Sequence, residues 1–245
     1  MILGGTAEAA ELAGRAIGAH GARLDVITSL SGATAEPSPP PGRMVSGGFG
    51  GAAGLARYLR VESVDFLIDA THPFAAVMQL SAASAAGEAG VARCRLLRPA
   101  WPRHPDDDWT EVENEAAAAR AVARMGRHVF LALGGREIEP FLALAAHRFL
   151  LRAVSPPPLK LPANFEFLRA RGPFAAADEL GLMQQRRIDA VVSRQSGGRG
   201  AYAKIEAART LGLPVVMIRR PPPPPPPLVA TVDEALGWLQ QAMKE

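Results

Sequence analysis

Met1-Ile2-Leu3-Gly4-Gly5-Thr6-Ala7-Glu8-Ala9-Ala10-Glu11 opens the chain with a short apolar run, two glycines and a threonine, then an alanine-rich segment. That order reads as a strand, a tight turn and a helix N-terminus. Unpaired N–H groups and the positive end of the helix dipole meet at such a turn and suit an anion. Glycine at 4 and 5 lets the backbone come close to it. Thr6 is placed to cap the helix and to offer a hydroxyl. Taken alone, Gly-Gly-Thr is either a phosphate loop or an ordinary turn. With three residues before the glycines the first strand is short, which leaves open a start further upstream.

Outward from this stretch, strands and helices alternate. Helices are expected over 7–19, 52–60 and 75–89, and strands over 24–28, 43–46, 64–69 and 91–98. Residues 36–42 read as an exposed proline-rich connection, and so do residues 99–109, with Pro99, Pro102, Pro105 and the solvated run Asp106-Asp107-Asp108. The rhythm then resumes. Helices are expected over 113–125, 138–145, 173–186, 201–211 and 231–243, and strands over 128–133, 148–154, 165–169, 189–192 and 214–218. Pro221 to Pro227 reads as a stiff polyproline connection rather than a recognition segment. The alternation predicts an α/β fold of two Rossmann-like parallel-sheet domains, with helices on both faces and an interdomain cleft. The expected division is 1–110, a dinucleotide-binding domain, and 111–245, an α/β domain completing the cofactor and substrate cleft.

Composition bounds the function. The chain has 245 residues, enough for a sizeable core, and is 48% hydrophobic with 6% aromatic residues, so Ala, Leu and Val must build that core. A net charge of +3 with scattered basic residues argues against a nucleic-acid partner and allows an anionic small molecule. The single cysteine, Cys94, permits no internal disulfide and reads as a buried structural thiol in a reducing cytoplasm. The sequence has neither a long apolar run nor a basic leader, which argues against a membrane span and a signal peptide. The oligomeric expectation is a monomer or a weak homo-oligomer.

Three turns share the strand–glycine–helix design: Gly4-Gly5-Thr6, Gly134-Gly135-Arg136 and Ser196-Gly197-Gly198. Ligands of parallel sheets sit beyond the carboxyl ends of the strands. The end of the second strand offers Ser29 and Ser31 and no acid there, which favours a 2′-phosphate and hence NADPH over NADH. Asp25 is read as lying early in that strand, away from the ligand, and Arg43 as able to add charge by folding back. Thr71-His72-Pro73-Phe74 ends a buried strand. His72 is either a proton source or a histidine that orders its loop. Arg136 suits bidentate binding of a carboxylate or phosphate, against the alternative of a local salt bridge with Glu137. Ser193, Arg194, Gln195, Ser196, Gly197 and Lys204 form a polar, cationic edge suited to a polycarboxylate. His20, His104, His128 and His147 have no partner pattern. No Cys/His metal spacing, GxSxG or Walker A motif is present.

Taken together, the chain resembles the precorrin-6A reductase family of cobalamin biosynthesis, including its cobalt-precorrin-6A branch. The resemblance rests on Ile2 to Ala9, Asp69 to Ala75, Leu133 to Glu137, Ser193 to Gly198, Lys204 to Ala208, Pro214 to Pro221 and the Trp101/Trp109 pair. The short first strand and the long proline run depart from the family pattern. The resemblance implies a two-domain NADPH-dependent oxidoreductase acting on a CH–CH group, delivering a hydride to a macrocyclic tetrapyrrole polycarboxylate. By position it implies that Gly4, Gly5, Thr6, Ser29 and Ser31 hold the dinucleotide and that Thr71 to Phe74 lie beside nicotinamide or macrocycle. Gly134 and Gly135 fall in the cofactor set as well. Arg136, Ser193, Arg194, Gln195, Ser196, Gly197 and Lys204 would meet phosphate or substrate carboxylates. An S-adenosylmethionine-dependent methyltransferase and a non-catalytic dinucleotide- or tetrapyrrole-binding protein remain as alternatives on the same architecture.

Overall fold

The computed structural model describes residues 1–30 and 40–244. Ser31, with most of the expected proline-rich connection, lies outside the described residues. The chain forms two units, Met1–Pro99 with Pro221–Glu245, and Ala100–Arg220.

The first unit carries β1 (Ile2–Leu3), α1 (Ala7–His20), β2 (Ile27–Leu30), β3 (Arg43–Ser46), α2 (Gly51–Val61), β4 (Phe66–Asp69), α3 (Ala76–Ala89) and β5 (Ala92–Leu96). Its sheet is wholly parallel and is completed by β12 (Leu228–Val229), in the order β12-β5-β4-β1-β2-β3. The pleat sends alternate residues to opposite faces. Ile2 and Ile68 meet Leu12, Ala16, Ala235 and Leu239 from α1 and α7 (Val232–Ala242). Leu3 and Leu67 meet Leu55, Leu59, Ala82 and Ala85 from α2 and α3. Alanines on the inner helix faces bring the helices close to the sheet without bulky rings.

The second unit carries β6 (Trp109–Val112), α4 (Glu115–Val122), β7 (His128–Ala132), β8 (Arg148–Ala153), β9 (Phe165–Arg169), α5 (Ala176–Gln185), β10 (Ala190–Arg194), α6 (Ala203–Thr210) and β11 (Val215–Ile218). This sheet is also parallel, in the order β6-β11-β10-β7-β8-β9. Among the described residues, no helix is long and apolar enough to cross a membrane.

The structure corrects four expectations. Residues 221–245, with the last helix, do not belong with the second domain, and a short strand not expected from the sequence precedes that helix. β12 pairs with β5 and α7 packs on the first sheet, so the chain leaves the first unit near Pro99 and returns to it at Pro221. Residues 138–145 form no α-helix. A single 3-10 turn, Glu139–Phe141, stands there. The connection at 99–109 is not wholly at the surface. Trp101, Trp109 and Asp107 are buried, and the Asp107 carboxylate accepts from the Arg209 guanidinium at 2.8 Å. The second strand starts later and runs further than expected, because a 3-10 turn at Gly21–Arg23 extends the end of α1.

Candidate functional site

In the first unit the glycine turn stands at the carboxyl edge of the sheet. The Gly4 N–H donates to Ser29 O at 2.8 Å. Gly5 has φ +100, a left-handed conformation, and a Cβ there would meet nothing within 4 Å. Thr6 caps α1 as expected: its Oγ1 accepts from Ala9 N–H at 3.1 Å and donates to Ala70 O at 2.7 Å. The cap therefore ties the helix N-terminus to the end of β4. Glu8 in the first turn pairs with Arg98 at 2.7 Å, and these two join Thr6, Thr71 and Pro73 around a shallow notch.

Ser29 is inside β2 and buried. Arg43 starts β3 at the opposite edge and its guanidinium is held by Glu62 at 2.6 Å, so it does not fold back to the carboxyl edge. Asp25 precedes β2 and is exposed beside Arg43, away from the turn.

The Thr71–Phe74 segment follows β4. Arg95 in β5 and Asp69 at the end of β4 form an ion pair of 2.7 Å between two fully buried side chains. Thr71 donates both its N–H and its hydroxyl to the same Asp69 oxygen. His72 Nδ1 accepts from Phe74 N–H at 3.2 Å, which places the proton of a neutral ring on Nε2. The buried Gln79 amide donates to His72 O and Pro73 O. Cys94 is buried and its thiol is pushed up to about 11 by burial, which suits packing and not nucleophilic attack.

In the second unit Gly134-Gly135-Arg136-Glu137 turns at the end of β7. A Cβ on Gly135 would stand 2.9 Å from Pro157 Cα, so the turn packs tightly on the loop after β8. Arg136 is exposed and Glu137 bonds elsewhere, to Arg194 at 3.2 Å. Arg194 also engages Glu115 at 2.7 Å, so two carboxylates of the chain occupy the guanidinium expected to meet substrate. Ser193 is buried inside β10. Gln195 behaves as a strap, accepting from Trp101 N–H at 2.9 Å and donating to Trp101 O at 3.1 Å. Gly197 and Gly198 both have left-handed φ, and Gly198 O accepts from the Trp101 indole N–H at 2.6 Å. Arg220 donates to Gln195 O and Ser196 O.

Lys204 is buried. Its Nζ donates to Ala201 O at 2.6 Å and lies 5.0 Å from the centre of the Trp101 ring. It is an interior amine and not a surface cation. Burial, reinforced by the charge of Arg152, lowers its pKa from 10.5 to about 7, against a smaller pull from Glu179. Between pH 7 and 10.5 the unfolded chain then binds more protons at this position than the folded one. Lys204 therefore makes stability rise with pH across that window and has no pH effect on either side of it. Lys204→Met should remove this rise. Melting temperatures of both proteins from pH 6.5 to 10 check it, and parallel curves would refute it.

Cations that residue type alone passed over stand in the connections that follow the strands of the second unit. Lys160 after β8, Arg171 after β9 and Arg199 after β10 are exposed, as Arg136 is after β7. Side-chain type alone did not separate these from Arg194 and Lys204.

Parallel sheets with a glycine turn and a capped helix N-terminus at the carboxyl edge define a class of α/β proteins whose ligands bind beyond the strand ends. Within that class the comparisons are specific. The family model described as precorrin-6x reductase CbiJ/CobK matches residues 1–240. A precorrin-6A reductase of Sinorhizobium sp is 46% identical, over 99% of this chain and 94% of that protein. One of Rhodobacter capsulatus is 42% identical, over 98% and 94%. A solved structure named CobK precorrin-6A reductase superposes with a TM-score of 0.92 at 41% identity, covering 98% of this chain and 95% of that one. The chain belongs to the precorrin-6x reductase family.

Proposed function

We propose that this chain reduces one double bond of precorrin-6A to give precorrin-6B in cobalamin biosynthesis, with NADPH as the hydride donor. The observation that carries the reading is the whole-length match to precorrin-6A reductases, supported by a glycine turn whose open Gly5 position and capped helix N-terminus suit an anion. The residues fit a dinucleotide. The space beside Gly5 is open, the first-turn N–H groups of α1 point out of the helix, and Thr6 is fixed by its cap. Gly4, Gly5 and Thr6 would hold the pyrophosphate. Ser31, with no acid beside it, carries the preference for a 2′-phosphate now that Ser29 stands inside β2. Bound there, NADPH supplies the hydride.

The protein supplies binding and orientation. Thr71 to Phe74 form a fixed wall at the end of β4. The proton that completes the reduction would come from solvent or from His72 in its doubly protonated form. In the second unit Arg136, Lys160, Arg171 and Arg199 offer charge to the carboxylates of a tetrapyrrole. Ser193, Gln195, Arg194 and Lys204 support the loop that carries Ser196 and Gly197.

The reductases at 40% identity or above are named for precorrin-6A. A cobalt-precorrin-6A reductase of Salmonella typhimurium is 27% identical over 90% of this chain. This supports a metal-free substrate. The test is anaerobic turnover of precorrin-6A and cobalt-precorrin-6A with NADPH and with NADH, followed by absorbance. The expected result is preference for the metal-free macrocycle and at least about tenfold higher kcat/KM with NADPH, a difference of about 1.4 kcal/mol. Tight cofactor binding without reduction of either macrocycle would favour the carrier reading.

A further inference from the structure

Among the described residues, the Arg95 guanidinium hydrogen-bonds to one short piece of chain. Nη1 donates to Asp69 O at 3.0 Å, to Asp69 Oδ1 at 2.7 Å and to Thr71 Oγ1 at 3.0 Å, and Nη2 donates to Thr71 O at 3.0 Å. Both members of the ion pair are fully buried. A pair of this kind is weak support for stability, since desolvating two charges offsets much of their attraction. This pair is also incompletely bonded: Asp69 Oδ2 and Arg95 Nε are buried without a hydrogen-bond partner. An apolar pair would serve packing at least as well. What an apolar pair does not provide is a planar fork that fixes the carbonyl and hydroxyl of Thr71.

We propose that Arg95 and Asp69 are positioning residues for the reduction, clamping Thr71 so that the Thr71–Phe74 wall is held at its working position. The clamp acts from beneath, while Gln79 holds His72 O and Pro73 O from the start of α3. Two anchors on successive residues leave the segment little freedom to shift. The inference rests on the proposed reductase reading, because it assigns the wall to the reacting centre.

The test uses the full-length enzyme with Asp69→Leu combined with Arg95→Met. This removes both charges, so neither is left buried alone. The expected result is a melting temperature close to wild type, a Kd for NADPH within about threefold, and kcat lower by about 100-fold, the scale of a roughly 1 Å misplacement. The primary isotope effect with NADPH deuterated at the transferred position should rise, because hydride transfer becomes limiting. A partly unfolded sample would lower kcat and leave that isotope effect unchanged.

Thr71→Val leaves the ion pair in place and removes only the hydroxyl link. It should lower kcat in the same direction with the same rise in isotope effect. A native-like double variant with kcat within threefold of wild type overturns the clamp. If the double variant does not fold, unchanged kcat and isotope effect in Thr71→Val overturn it. Wild-type turnover measured alongside separates this failure from that of the reductase reading, which falls only if wild type does not reduce the macrocycle.

Discussion

Arg152→Met should be the most destabilising single substitution in the second unit, costing about 3–5 kcal/mol. Arg152 in β8 forms a bidentate pair with Glu179 of α5, with Nη2 to Oε2 at 2.8 Å and Nη1 on Oε1. Both residues are buried. The guanidinium lies 3.7 Å from the Phe174 ring centre and 4.7 Å from that of Phe130, so its flat faces are packed as well as its edge. Methionine fills similar space but leaves the Glu179 carboxylate buried without a partner. That orphaned charge is the larger part of the cost. A fall in melting temperature on the order of 10 °C follows for a unit of this size.

Lys204 makes the prediction sharper. Its amine is held toward neutrality by burial first and by the Arg152 charge second, and Glu179 pulls the other way. Removing Arg152 raises the Lys204 pKa, and the ammonium then compensates Glu179 in part. Arg152→Met should therefore cost more in a Lys204→Met background than in wild type. Arg152→Met with Glu179→Leu should recover most of the loss, because no charge is left alone. Calorimetry of wild type, the two single variants and the two double variants checks this. Equal losses in both backgrounds would show that Lys204 and Glu179 do not communicate.

The sequence carried the architecture because hydrophobic period and glycine turns are local signals. Ile2-Leu3-Gly4-Gly5-Thr6 announces a strand, a turn and a cap within five residues. What it did not carry was the return of the chain to the first unit. Leu228–Val229 is two residues long, too short to show a period, and its partner Arg95–Leu96 is far away in sequence. Trp109–Val112 does not alternate, with two exposed polar residues side by side at its centre, and the acidic run before it reads as loop. In the site, charge was visible and pairing was not. Arg194 looked available because Glu115 lies 79 residues away. Lys204 had a readable signal: it sits between Ala203 and Ile205 with Ala207 and Ala208 a turn on, an apolar setting unlike that of a surface cation. Arg95 had one too, as a cation between Cys94 and Leu96 in a strand whose neighbour, an apolar run, ends in the acid Asp69.

Gly5→Val should raise the Kd for NADPH by at least about 100-fold, equivalent to about 2.7 kcal/mol. Gly5 has φ +100, which a β-branched residue adopts only under strain. Strain alone, about 1–3 kcal/mol, would appear as lost stability. Loss of binding has a separate cause. A Cβ at Gly5 meets no protein atom within 4 Å, so the valine methyls extend into open space in front of the α1 N-terminus. In the proposed reading a phosphate occupies that space. Gly90→Val provides the control. Gly90 has φ +70 and an equally open Cβ position, but it caps the far end of α3. Both variants should melt a few degrees below wild type, and only Gly5→Val should lose NADPH, measured by titration calorimetry. If Gly5→Val binds within threefold of wild type, the open space at Gly5 is not where the pyrophosphate sits. The anion cradle must then be sought at the glycine turns of the second unit, Gly134-Gly135-Arg136 and Ser196-Gly197-Gly198, each of which ends a buried strand with an exposed cation beside it.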